Sequence, residues 1–314
     1  MSNVLKPMND LQKNILRTLA YYDVFRFPLK EDELISFGSF NGNKEDLQYE
    51  LLALKQNGII GEHRGYFFLA DFSLAHVEAR EVNEIRAAAA ANKVKRFSNL
   101  ISRFPFVTCV CISGSYSKGV LDRYGDVDYF IIAEPGRLWL ARTLLILFKK
   151  TFLFNSRRYF CINYLIDSHS LEITDKNIFT ATEVLTLLPM SGGDIYKQFA
   201  SQNQWAKSFI PNRNFKNTDS IQTTVKKGIT SKLIQYTLSG KLGDKLDNFC
   251  FSITQKRWEK KFPQLNSEEF ELNLRSRKNV SKHHPRGFQF RVLSSYRQKL
   301  TQLMVDDEPV AVVA

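Results

Sequence analysis

Cysteine is scarce in this chain. Four among 314 residues (Cys109, Cys111, Cys161 and Cys250) cannot staple a fold of this size. None stands in a C-x-x-C pair or near a histidine at zinc-ligand spacing, so they are expected reduced and buried in a cytoplasmic protein. Long apolar runs are also lacking. The most apolar stretch, Leu138 to Phe154, is interrupted by Arg142, Lys149 and Lys150, which predicts a buried amphipathic helix rather than a span. The opening MSNVLKPMNDLQKN holds no apolar core of the signal-peptide kind, so no membrane partner is expected. Repeats and low-complexity blocks are absent, and 44% apolar with 24% charged residues excludes wholesale disorder. Acidic residues are in deficit: 32 Asp+Glu stand against 44 Lys+Arg, leaving +12. That balance points to a polyanionic partner, nucleic acid or nucleotide.

What is present divides the chain into a unit at 1–72, a linking helix at 73–103, a core at 104–175, a basic helical part at 176–304 and a flexible tail at 305–314. In the first unit, Leu11, Ile15, Leu16 and Leu19 recur at helical spacing. A short acidic helix follows Pro28. A third helix, Lys44 to Gln56, stops at Asn57-Gly58. Two short strands then flank His63-Arg64-Gly65. Three helices followed by a hairpin is the order of a winged helix-turn-helix, whose third helix is the one offered to a DNA groove. Here that helix carries Lys44, Glu45, Asp46, Glu50 and Lys55, too acidic for a phosphate-facing surface, which favours a packing module. The alanine run Ala87 to Ala91 marks the linking helix.

The core carries the chemistry. Val107 to Ser113 is a continuous apolar run rich in β-branched residues that predicts a buried strand. It ends at Gly114-Ser115, opening a helical turn. A second strand begins at Asp126-Val127-Asp128, a helix fits Leu138 to Phe154, and a third strand fits Tyr159 to Ile166. Residues two apart on a strand leave the same face, so Asp126 and Asp128 stand side by side while Val127 enters the core. Adjacent carboxylates repel unless a cation lies between them, and Mg2+ suits oxygen donors. The glycine admits a phosphate close to the backbone, and the turn supplies free N–H donors.

Gly114-Ser115, ten intervening residues and Asp126-Val127-Asp128 between apolar strands resemble the signature of the DNA polymerase β-like nucleotidyltransferase superfamily. The resemblance implies a small mixed-sheet nucleotidyltransferase core flanked by helices; with the parts read on either side, the chain is expected to be α+β, that core lying between an N-terminal winged helix and a C-terminal helical domain. The resemblance further implies two Mg2+ ions and transfer of a nucleoside monophosphate from an NTP, such as ATP, with release of pyrophosphate. By position, Gly114 and Ser115 would hold the triphosphate, Lys118 would neutralise phosphate charge, and Asp126 and Asp128 would be the catalytic metal ligands. The superfamily places another acid on a later strand. In this chain Asn163 stands between Ile162 and Tyr164 there. Asn163 would be a neutral metal ligand, and because an amide cannot act as a base, that role falls to Asp167, Glu172 or Glu183.

In the last part, Glu183 to Leu188 and Ile195 to Ala206 are expected as helices separated by the PMSGG break, with further helices at 226–238, 243–261 and 290–304. Ala206 to Met304 holds 20 Lys/Arg against 7 Asp/Glu, which makes it a candidate for contact with phosphates or an RNA acceptor. His283-His284 lacks neighbouring ligands and is not expected to bind metal. Two functions remain open: an Mg2+-dependent nucleotidyltransferase acting on a small-molecule, protein or RNA hydroxyl, and a winged-helix DNA-binding regulator whose nucleotidyltransferase-like core senses nucleotide.

Overall fold

The computed structural model describes residues 8–39, 44–221, 226–266, 270, 274–282 and 287–306. The protein is mixed α+β, and its described residues form two sheets. Helix α1 (Asp10–Asp23) starts at Asn9, whose side chain accepts the Gln12 N–H at 2.8 Å while Gln12 accepts the Asn9 N–H in return. This reciprocal cap satisfies two donors that a helix start would otherwise leave open. Helices α2 (Glu31–Phe37) and α3 (Lys44–Gln56) close over α1, burying Ile15, Leu16, Leu34, Leu47 and Leu51. Strands β2 (Ile60–His63) and β3 (Tyr66–Leu69) form the expected hairpin, and β1 (Leu29–Lys30) adds an edge to β3 that no sequence signal announced.

Helix α4 (Ala75–Ser102) leads from this unit to the second sheet. Arg80 locks its start. The buried guanidinium donates to Glu33 at 2.6 Å, to Glu84 at 2.9 Å and to the Pro28 carbonyl at 2.9 Å, and lies 3.7 Å from the centre of the Phe27 ring.

The second sheet contains β4 (Val107–Ser113), β5 (Asp128–Ala133), β6 (Cys161–Asp167), β7 (Leu188–Ser191), β8 (Ser276–Arg277) and β9 (Val280–Lys282), in the order β7-β4-β5-β6-β9-β8. Among the described residues only β5 and β6 are parallel, joined by the crossover helix α5 (Leu138–Phe152). Strand alternation splits the core in two. Val110, Ile112, Tyr129 and Ile131 pack under α4 and α5. Cys109, Cys111, Phe130 and Ile132 pack under α6 (Ile178–Thr186) and α7 (Gly193–Gln202) on the other face.

The boundary expected at residue 175 does not separate two packing units. Strands β7, β9 and β8 complete the sheet begun by β4, and α6 and α7 cover one of its faces. The helix expected over 195–206 divides into α7 and a 3-10 turn at Gln204–Ser208. Helices α8 (Ile229–Thr237) and α9 (Lys241–Lys261) pack outside α5, whereas α10 (Phe288–Gln302) joins the first unit through Val292, Tyr296 and Leu300. The first two residues of the expected flexible tail are held in place: Val305 is buried in that same cluster and the Asp306 carbonyl accepts from Arg17. Residues 307–314 and His283-His284 lie outside the described residues.

Candidate functional site

Strand β4 ends at Ser113, and the chain turns sharply at Gly114, whose φ is +67°. A 3-10 turn (Tyr116–Lys118) follows, closed by Gly119. The turn brings Gly114 against the first residue of β5. A Cβ built on Gly114 would lie 2.8 Å from Asp128 Oδ2, so the position requires glycine both for its backbone conformation and for its neighbour. Asp128 is thus held directly opposite the Gly114 peptide. Val127 is fully buried in the α4/α5 core, and Asp128, the first residue of β5, leaves the opposite face.

Beside Gly114 and Asp128 the structure gathers a small cavity of about 210 Å³, walled by these two and by Asn163, Asp175 and Glu183 with Phe130, Tyr164 and Phe179. Asn163 reaches it through an irregularity in β6. Tyr129 pairs with Ile162 and Phe130 with Tyr164, so Asn163 is the residue left over between them. Such a bulge re-aims a side chain. Asp128 sits in a crowd of negative charge. Burial pushes its carboxyl up to about 6, the Cys161 thiol hydrogen bond opposes this, and the charges of Glu183 and Asp126 add to the rise. The Cys161 thiol is itself pushed well above its usual range by burial and by Asp128.

Glu183, on α6, completes the arrangement. Its Oε2 accepts the Gly114 N–H at 3.1 Å, and its Oε1 accepts from the Lys118 ammonium at 2.8 Å. Lys118 also donates to the Gly114 carbonyl at 3.1 Å. The two oxygens of one carboxyl group therefore already occupy, one each, the backbone donor and the cation expected to receive phosphate. Ser115, expected beside Gly114 as a triphosphate holder, faces solvent; its carbonyl accepts the Lys118 and Val120 N–H groups. Asp126 stands half-buried outside the cavity wall, near enough to act on Asp128 through its charge.

The three acids offered as bases separate cleanly. Asp167 lies at the far end of β6, paired opposite Ala133, where it caps the turn at His169. Glu172 is exposed and bound to Lys176 at 2.8 Å. Glu183 alone of the three lines the cavity. Sequence reasoning missed Cys161 as the partner of Asp128. It also missed Asp175, which Arg275 at 2.8 Å and Lys282 at 3.4 Å tie to the cavity rim.

For a divalent cation the chain offers the carboxylates of Asp126 and Asp128 and the amide oxygen of Asn163. Among the described residues no group of three or more His, Cys, Asp or Glu is arranged to hold an ion. Two carboxylates with a neutral oxygen fit Mg2+, which commonly takes one or two protein carboxylates and completes its shell from phosphate and water. The crowding of Asp128 by Glu183 and Asp126 is the feature a cation would relieve. Comparison of the chain with protein-family models, with curated proteins and with solved structures finds no match in any of the three.

Proposed function

We propose that the chain is an Mg2+-dependent nucleotidyltransferase that moves a nucleoside monophosphate from an NTP to a hydroxyl acceptor and releases pyrophosphate. The observation that carries this reading is the approach of Gly114 to Asp128, with the Glu183 carboxyl group already bound through one oxygen to the Gly114 N–H and through the other to Lys118. A seat that accepts a carboxylate there suits a phosphate oxygen. The implied arrangement is a nucleotidyltransferase core flanked by a winged-helix unit and helical additions.

In this reading Gly114 and Lys118 grip the nucleotide phosphates. Asp126 and Asp128, with Asn163, hold Mg2+, which when bound lowers the charge barrier to attack on the α-phosphate. Glu183 yields its place to the incoming phosphate and takes the proton of the acceptor hydroxyl, the role Asn163 cannot fill. The aromatic wall of Phe130, Tyr164 and Phe179 limits water around the reacting groups. The donors on the chain suffice for one ion; a second, as the resemblance implies, would draw on phosphate and water oxygens.

The regulator reading keeps one favourable observation, since the outer face of α3 is exposed at Gln48, Tyr49 and Leu52. Its two lysines are nevertheless tied, Lys44 to Glu31 at 2.9 Å and Lys55 to Glu62 at 2.6 Å. The charge available to a DNA backbone is thereby reduced. To test the enzymatic reading, the protein is incubated with each NTP labelled on the α-phosphate, Mg2+ and fractionated cell extract as acceptor source. Label transfer by the wild type and its loss in Asp126→Ala plus Asp128→Ala is expected. Equal transfer by both proteins rejects the reading.

A further inference from the structure

Helices α8 and α9 are mounted firmly by their inner faces. Ile234, Leu238, Leu246, Cys250 and Phe251 pack on the α5 side of the core. Arg137 clamps the turn between them, donating to the carbonyls of Leu238 (2.8 Å), Ser239 (2.6 Å) and Gly240 (3.2 Å) and to Asp244 at 2.6 Å. Asp247 accepts the Leu140 N–H at 2.8 Å.

The outer faces are unusual for a water-exposed pair. On α8, Ile229, Leu233 and Tyr236 follow one another at spacings of four and three, hence on one stripe, and are 87%, 62% and 83% exposed. On α9, Leu242, Phe249 and Ile253 share a stripe and are 57%, 61% and 48% exposed. Lys245, Lys256 and Lys260 fall on that same stripe by their helical spacing. Residues 229–261 hold seven Lys/Arg and three Asp/Glu. Among the described residues, Lys232, Lys245, Lys256 and Lys260 have no ion-pair partner, whereas Lys30, Lys44, Lys55 and Lys118 are each bound to a carboxylate.

We propose that the outer face of α8 and α9 docks on an anionic lipid bilayer surface. Large apolar side chains interleaved with unpaired lysines match both layers of such a surface. The apolar groups enter the acyl boundary while the ammonium groups stay with the headgroups. Nucleic acid would use the same lysines and could stack on Tyr236 and Phe249, but the other four exposed apolar side chains, Ile229, Leu233, Leu242 and Ile253, have no ring to stack on a base and suit the acyl boundary instead. A surface association differs from a span, and no helix among the described residues is long and apolar enough to cross a membrane. The proposal stands independently of the nucleotidyltransferase reading.

The test is co-sedimentation of the full chain with phosphatidylcholine vesicles containing or lacking phosphatidylglycerol, at low and high salt. Phe249→Glu plus Ile253→Glu, two exposed positions, serves as the disrupting variant, and its melting temperature is compared with the wild type's to confirm folding. Binding to the anionic vesicles only, weakened by salt and lowered more than tenfold in the variant, is expected. Four results overturn the proposal: no binding to anionic vesicles, binding unchanged in the folded variant, RNA binding without vesicle binding, or a dimer abolished by the variant in the absence of lipid.

Discussion

Replacing Gly114 by alanine probes the contact on which the candidate site is built. Two costs combine. A residue with a Cβ held at φ +67° loses about 1–2 kcal/mol from its left-handed backbone. The new Cβ would also stand 2.8 Å from Asp128 Oδ2, which forces the carboxylate to swing away and give up its Cys161 hydrogen bond, about 1 kcal/mol more. Gly114→Ala should therefore cost about 2–3 kcal/mol in urea unfolding. Gly119→Ala supplies the control, because Gly119 has φ +82° with nothing within 4 Å of its built Cβ. It should lose only the backbone share, about 1–2 kcal/mol. In an Asp128→Ala background the excess at Gly114 should vanish, a coupling that a double-mutant cycle isolates. If the two glycine variants cost the same to within about 0.5 kcal/mol, Gly114 does not face Asp128 as described.

Glu183→Gln should lower kcat for NTP turnover by about 100-fold or more while leaving KM for the nucleotide no higher; an unchanged kcat removes Glu183 from proton transfer. Burial works to raise the Glu84 carboxyl, but the Lys30 hydrogen bond and the Arg80 charge outweigh it and hold its pKa below the ordinary range. The unfolded chain then binds the proton more readily, so this stability is present above the ordinary carboxylate pKa and fades as pH falls through the native one. Acid titration of Glu84→Gln should show a shallower loss, and a profile identical to the wild type's would contradict it. Lys227 donates to the carbonyls of Ser102 (2.8 Å), Phe104 (2.6 Å) and Val107 (2.5 Å). Lys227→Met should cost about 2–4 kcal/mol in chemical denaturation by stranding those acceptors, and a change under about 0.5 kcal/mol would contradict it.

Much of the local structure was legible because it depends on neighbours in sequence. The apolar period of Leu47, Leu51 and Leu54 marked α3, and the β-branched run Val107 to Ile112 marked β4. The Gly114 turn and the strand that opens at Asp128 were legible for the same reason. Contacts between distant segments were not. Strand β7 contains Pro189, tolerable because it lies on the sheet edge, yet in sequence the same proline reads as a break. Helix α6 begins at Ile178, after an Asn177 cap that accepts the Thr180 N–H, five residues before the expected start. With that cap recognised, Glu183 falls within the helix rather than at its entry. Strands β8 and β9 have two and three residues and exist only by pairing with β6 and each other. The aim of Asn163 depends on a bulge that pairing creates, and no spacing in the sequence announces it.

The central claim, that the cavity between Gly114, Asp128 and Glu183 receives a magnesium nucleotide, is tested most directly by thermal unfolding with each NTP, with and without Mg2+. A ligand bound to the folded state at one hundred times Kd adds about 2.7 kcal/mol, or roughly 5 °C for a chain of this length. One or more NTPs should raise the wild-type melting temperature only when Mg2+ is present, and Asp128→Asn should lose the rise. No rise with any NTP, or the same rise in Asp128→Asn, contradicts the claim.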